Sequence, residues 1–160
     1  MLLVFVRHGK AEEKKPGLPD EERALTREGA ADVEAVAKLL PVKLSVIYTS
    51  PLRRALQTAE VLSRVHGADV KVSAELHPAV LSLNALAKLV LQDSAALVGH
   101  APSIEKVVSE LIGGGNVKIG AGAAVGVEVL KVEKGGGVLE FLITPKIARE
   151  ALKVSEGPTQ

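Results

Sequence analysis

The chain predicts a three-layer α/β/α sandwich whose central sheet is mostly parallel and ends in an antiparallel C-terminal hairpin. Strand-like apolar runs alternate with segments of helical periodicity, the pattern of a sheet covered on both faces. The last two β-like runs are joined through Glu133-Lys134-Gly135-Gly136-Gly137, a glycine-permitted hairpin turn. No internal repeat or linker interrupts the 160 residues, so 1–160 reads as one domain.

Each element has its own signal. Leu2-Leu3-Val4-Phe5-Val6 is the first strand. Thr26 caps a helix to about Leu40, with Val33, Val36, Ala37 and Leu40 at the spacing of one face, and Pro41 ends it. Leu44 to Tyr48 is the second strand. Ser50 is expected as N-cap and Pro51 as first residue of a helix that buries Leu52, Ala55, Leu56, Ala59 and Leu62 and stops after His66 at Gly67. Val70-Lys71-Val72 reads as a short strand. Ser82 caps a helix with Leu83, Leu86, Ala87, Val90 and Leu91 as its buried stripe. Ala95 to Val98 is the next strand, and the helix from Pro102 to Ile112 breaks at Gly113-Gly114-Gly115. Ala124 to Val132 and Val138 to Ile143 form the hairpin. Thr144 and Pro145 open a last helix through about Val154, and from Ser155 the tail is expected to fray.

Three of the strand runs empty into residues suited to phosphoryl chemistry. The first ends in Arg7-His8-Gly9, the second leads to Ser50-Pro51-Leu52-Arg53-Arg54-Ala55-Leu56-Gln57-Thr58, and the third ends in Gly99-His100-Ala101-Pro102. Carboxyl ends of strands are where open α/β sheets bind ligands. An imidazole can attack phosphorus, a guanidinium can grip two phosphate oxygens, and a glycine lets backbone approach an anion closely.

Composition narrows the class. Hydrophobic residues at 47% supply a sizeable core, and aromatics at 2% leave it to Val, Leu, Ile and Ala. The chain has no cysteine, which excludes a disulfide framework, a thiolate zinc site and a thiol nucleophile. A formal net charge of +1 and the lack of an aromatic-interleaved basic patch argue against nucleic acid. Leu2 to Val6 is too short to span a membrane and has no basic leader, so no membrane association and a cytoplasmic location are expected. Gly120-Ala121-Gly122 lacks the strand and helix that a dinucleotide loop requires. Neither a cofactor nor a metal is expected.

With its three motifs in this order, the chain resembles the histidine phosphatase superfamily, also called phosphoglycerate mutase-like. Its signature is an RHG after the first strand and a second histidine late in the domain. Short length, Arg23-Ala24-Leu25-Thr26-Arg27-Glu28-Gly29 and the stretch at 50–58 make it most similar to the small SixA-type phosphohistidine phosphatases. Two departures set it apart from the mutases: Lys10-Ala11-Glu12-Glu13-Lys14 follows the RHG, and the stretch between Arg54 and His100 has no room for a cap.

The resemblance implies a metal-independent, two-step phosphatase. His8 would be the nucleophile, and Arg7, Arg54 and His100 would bind the phosphate and stabilise its charge. Arg54, the residue before Ala55, takes the place of the phosphate-binding arginine, which leaves Arg53 at the rim. Glu75 is the candidate general acid for an ester substrate, whereas a phosphohistidine substrate would not require one, because the departing imidazole can be protonated beforehand. His66 and His77 read as surface or structural. The run from Lys10 to Glu22 is a solvated loop at the rim. An open, uncapped site points to a histidine-phosphorylated signalling protein as partner, with phosphate or phosphate-mimicking anions as further ligands. A small-molecule phosphomonoesterase and a catalytically idle phosphate-binding module are the competing readings.

Overall fold

Side chains on a strand alternate between faces, so Val4 and Val6 of β1 (Leu2–Arg7) point one way and Leu3 and Phe5 the other. All four are fully buried, so both faces of β1 are covered. The computed structural model describes residues 1–156. After β1 come α1 (Arg27–Leu39), β2 (Val46–Thr49), α2 (Arg53–His66), β3 (Asp69–Val72), α3 (Leu83–Ala87) and β4 (Ala95–Gly99). Then follow α4 (Ser103–Leu111), β5 (Ala124–Val129), β6 (Gly137–Ile143) and α5 (Pro145–Glu156), with 3-10 turns at Asp20–Glu22 and Ala74–Leu76. The fraying expected from Ser155 lies, beyond Glu156, outside the described residues.

The strands form one six-stranded sheet in the order β3-β2-β4-β1-β5-β6. β3, β2, β4 and β1 pair in parallel, and β5 and β6 pair antiparallel, as expected of a parallel sheet closed by a hairpin. Val4, Val6, Ile47, Ala96 and Val98 pack with Val33 and Val36 of α1, Ala55, Ala59 and Leu62 of α2, and Ala148 of α5. Leu3, Phe5, Tyr48, Leu97, Val125 and Val127 pack with Leu86 of α3 and Ile104, Val107, Val108 and Leu111 of α4. The sandwich therefore has α1, α2 and α5 on one side and α3 and α4 on the other. The buried Asp32 carboxylate of α1 is paired with Arg149 of α5. Among the described residues no helix is long and apolar enough to cross a membrane.

Most capping signals hold. Thr26 Oγ1 accepts from Gly29 N–H at 2.9 Å, Ser82 Oγ accepts from Ala85 N–H at 3.0 Å, and Thr144 Oγ1 accepts from Ile147 N–H at 3.1 Å. Gly67 closes α2 at φ 70°, a conformation that favours glycine. Three elements differ from expectation, the first being β5, which ends at Val129 rather than Val132. α3 stops at Ala87, because the next amides bond three residues back (Lys88 N–H to Ala85, Leu89 N–H to Leu86), and the Val90 carbonyl accepts from the Tyr48 hydroxyl at 2.5 Å. Val90, 83% exposed, and Ala87 both lie at the surface instead of in the expected buried stripe. α2 begins at Arg53 rather than Pro51: Leu52 is extended, with ψ 141°, and the helix N-terminus has no side-chain cap.

Candidate active site

Parallel pairing aligns the carboxyl ends of β1, β4 and β2, with Arg7 opposite Gly99 and Val98 opposite Thr49. The next residue after each strand therefore lies at the same edge of the sheet. His8 N–H donates to the Gly99 carbonyl and Ser50 N–H to the Val98 carbonyl, each at 3.0 Å. Sheet register alone brings His8, Ser50 and His100 together. The His8 and His100 ring centroids are 5.0 Å apart.

His8 Nδ1 is 2.7 Å from the Gly9 carbonyl oxygen. A carbonyl only accepts, so Nδ1 carries the hydrogen and Nε2 keeps its lone pair. That lone pair accepts from Arg54 Nε–H at 3.3 Å. The rest of the Arg54 guanidinium is held by Asp20, through the backbone carbonyl at 2.8 Å and the carboxylate at 3.2 Å. Arg54 is 6% exposed, whereas Arg53, one position earlier, is exposed and reaches the Glu22 carbonyl at 3.3 Å. Consecutive helical residues point about 100° apart, so only one of the pair faces His8.

Arg7 donates from Nη1 to the Ile119 carbonyl at 3.1 Å, while its Nε is buried without a partner. His100 is 3% exposed; its Nε2 is 2.7 Å from Ser50 Oγ, and its Nδ1 is likewise buried without a partner. Buried polar nitrogens are nearly always hydrogen-bonded, so the two orphans, one on the residue before His8 and one on the ring 5.0 Å from it, mark a place that a polar ligand can fill. Gly9 fits closely here, since a Cβ would come within 2.8 Å of the Gly29 carbonyl oxygen and of the Leu25 side chain. Thr58 accepts from Gly9 N–H at 3.1 Å and donates to the Arg54 carbonyl at 2.8 Å, linking the two motifs.

Glu75 is not among these contacts. Its carboxylate accepts from Ser73 Oγ at 2.6 Å, and that hydrogen bond lowers its pKa, which suits a carboxylate better than a proton donor. His66 is structural: Nδ1 accepts from Leu44 N–H at 3.1 Å, and Nε2 lies 2.8 Å from the Ala37 carbonyl. His77, in contrast, lines a hollow of about 590 Å³ at the mouth, together with Asp20, Glu21, Pro51, Leu52 and Pro78. The reason is local. The fully buried Leu76 pins the preceding turn against the sheet and brings the chain back toward the end of β4. The Lys10–Glu22 run does form rim, and through Asp20 it also reaches into the site. Among the described residues no three His, Asp or Glu side chains converge as a metal site.

Burial pushes the His8 pKa down to about 4, and the Arg54 and Arg7 guanidinium groups add to this against the favourable Gly9 carbonyl. Burial likewise lowers His100 to about 3, with His8 and Arg54 contributing. Both rings are therefore neutral at pH 7. Above pH 6.5 both folded and unfolded chains hold them neutral. As pH falls from 6.5 toward 4, the unfolded chain binds protons that the folded one does not, so stability is lost in that window. His8 alone accounts for about 3 kcal/mol of this loss. Urea midpoints measured between pH 7 and pH 4 should fall more steeply for wild type than for His8→Ala; parallel curves would show that His8 is not buried as a neutral ring.

The histidine phosphatase superfamily (branch 1) matches residues 3–78. An uncharacterised protein of Picosynechococcus sp. (strain ATCC 27264 / PCC 7002 / PR-6) is 36% identical over 114 residues, covering 65% of this chain and 68% of that protein. Among solved structures, the protein histidine phosphatase SixA complexed with tungstate superposes with a TM-score of 0.76 at 24% identity, over 96% of this chain and 100% of that one. The phosphoserine phosphatase of Entamoeba histolytica, in complex with 3-phosphoglyceric acid, gives 0.65 at 18% identity, over 89% and 96%.

Proposed function

The chain belongs to the histidine phosphatase superfamily, and from that premise we propose that it removes phosphate from phosphohistidine on a protein. The observation that carries the reading is the His8 ring, fixed by the Gly9 carbonyl so that an unprotonated Nε2 faces the Arg54 guanidinium. In the first step Nε2 attacks phosphorus in line, the N–P bond to the substrate breaks, and the phosphoryl group transfers to His8. In the second, water attacks the phosphohistidine and releases phosphate. Arg54 Nε–H passes from the Nε2 lone pair to a phosphoryl oxygen as attack begins. Arg7 and His100 donate to the other equatorial oxygens. These donors are held before the substrate arrives, the condition under which charge stabilisation is largest.

The protein substrate is supported by the openness of the mouth. Between β3 and β4 the chain makes only a 3-10 turn and the five-residue α3, which packs on the sheet rather than over His8. A phosphate presented on a folded surface can reach such a site, whereas a small metabolite finds few contacts beyond its phosphate. The fold shared with SixA and that protein's complex with tungstate, a phosphate-like oxyanion, agree with this reading. A small-molecule phosphomonoesterase is the alternative, favoured by the fold shared with the phosphoserine phosphatase.

Rates on a histidine-phosphorylated protein and on a panel of metabolite phosphates, each with wild type and Glu75→Gln, separate the two. A phosphohistidine phosphatase should prefer the protein and lose little in Glu75→Gln, because the departing imidazole can already be protonated. An ester substrate releases an alkoxide that needs a donor, so an esterase relying on Glu75 should lose on the order of 10² to 10⁴. Faster turnover of metabolite phosphates would overturn the protein-substrate reading.

A further inference from the structure

We propose that Ser50 is a positioning residue that sets the tautomer of His100, so that this histidine meets the phosphoryl group as a neutral Nδ1–H donor. The inference rests on the phosphatase reading for its consequence in catalysis, but the tautomer itself can be tested without any activity.

Ser50 is fully buried, and its Oγ has two neighbours: Leu52 N–H, which donates to it at 3.2 Å, and His100 Nε2 at 2.7 Å. A serine hydroxyl has one hydrogen to give. The Leu52 amide occupies a lone pair, and Nε2 is the acceptor within reach for that hydrogen. Nε2 must then be unprotonated, which places the ring hydrogen on Nδ1. The opposite arrangement, with Nε2–H donating to Oγ, strands the hydroxyl hydrogen in the interior and leaves a bare lone pair on the buried Nδ1. Two buried groups would then go unsatisfied instead of one, so the first arrangement prevails.

The consequence lies at Nδ1, the His100 nitrogen that has no partner and sits in the same cluster as the His8 ring. As N–H it attracts a phosphoryl oxygen; as a lone pair it would repel one. The depressed pKa of His100 is consistent with a ring that acts as a neutral donor rather than as a cation. Ser50 was expected to cap α2; that helix starts at Arg53 instead, and the Ser50 hydroxyl, while accepting from Leu52 N–H, also meets His100.

Two-bond ¹H–¹⁵N correlation spectra of the ¹⁵N-labelled full chain, with His100 assigned by its loss in His100→Asn, read the tautomer directly. A protonated Nδ1 and an unprotonated Nε2 are expected in wild type, and the reverse pattern overturns the proposal even if the enzyme proves to be a phosphatase. Ser50→Ala should show mixed tautomers, weaken binding of inorganic phosphate about tenfold and lower kcat on the order of 10². Ser50→Thr, which keeps the hydroxyl, should restore all three. A Ser50→Ala protein that keeps the wild-type tautomer and phosphate affinity would equally overturn it. If the tautomers behave as expected but no phosphatase activity is found, the functional reading fails and the tautomer assignment stands.

Discussion

Replacing His8 with alanine is expected to abolish turnover, by about 10⁴-fold or more, as when other covalent nucleophiles are removed. The loss follows from geometry, since with the tautomer proposed for His100 no other imidazole in the cluster offers a free lone pair: its Nε2 faces Ser50 Oγ and its Nδ1 carries the ring hydrogen. The fold should survive, because His8 lies beyond β1 rather than within the packed faces of the sheet. Below pH 6.5 the variant should even gain stability relative to wild type, since it removes a ring that folding holds neutral. Rapid acid-free quenching with radiolabelled substrate should trap an acid-labile phosphoryl group on wild type and none on His8→Ala. Label retained by the folded variant would move the nucleophile elsewhere.

Arg54→Ala should lower the rate on the order of 10² to 10³, the scale for deleting one preorganised donor, whereas Arg53→Ala should change it little. The difference comes from burial and contact: Arg54 touches His8 Nε2 and is held by Asp20, and Arg53 reaches out to the Glu22 carbonyl. Arg54→Lys should recover only a small part, because one ammonium cannot span the Asp20 carbonyl, the Asp20 carboxylate and the phosphoryl group together. Steady-state rates of the three variants, with circular dichroism to check folding, decide this. A greater loss at Arg53 would reverse the assignment.

Much of the architecture was legible in the sequence because helices begin or end at recognisable caps: Thr26, Gly67, Ser82 and Thr144 act where their chemistry suggests. The three motifs were legible for the same reason, as residues placed at strand ends. What escaped was whatever depended on contacts across the chain. Ser50 looked like an N-cap because the local signal says so, yet its hydroxyl serves a histidine fifty positions later. Asp20 sat in a charged loop with nothing to distinguish it from Glu21 or Glu22, and only folding shows which carboxylate meets Arg54. Thr58 did carry a signal, one helical turn after Arg54, which amphipathicity alone did not single out. The α3 stripe failed at Ala87 and Val90 because periodicity cannot foresee that the helix ends at Ala87 and that the Val90 carbonyl is taken by a tyrosine hydroxyl.

The carboxyl end of β1 is finished from the far end of the chain. Arg7 N–H bonds the Ala123 carbonyl, Gly122 N–H is shared between the carbonyls of Arg7 and His8, and the Arg7 guanidinium rests on Ile119. A ribosome that has released the first hundred residues has therefore delivered Arg7, His8, Arg54 and His100 but not the segment that sets two of them. Loop closure over so long a stretch is slow compared with the growth of local helices. Activity on refolding should thus appear together with the β1–β5 ladder and not ahead of it, and a nascent chain should stay inactive until its last strands are in place.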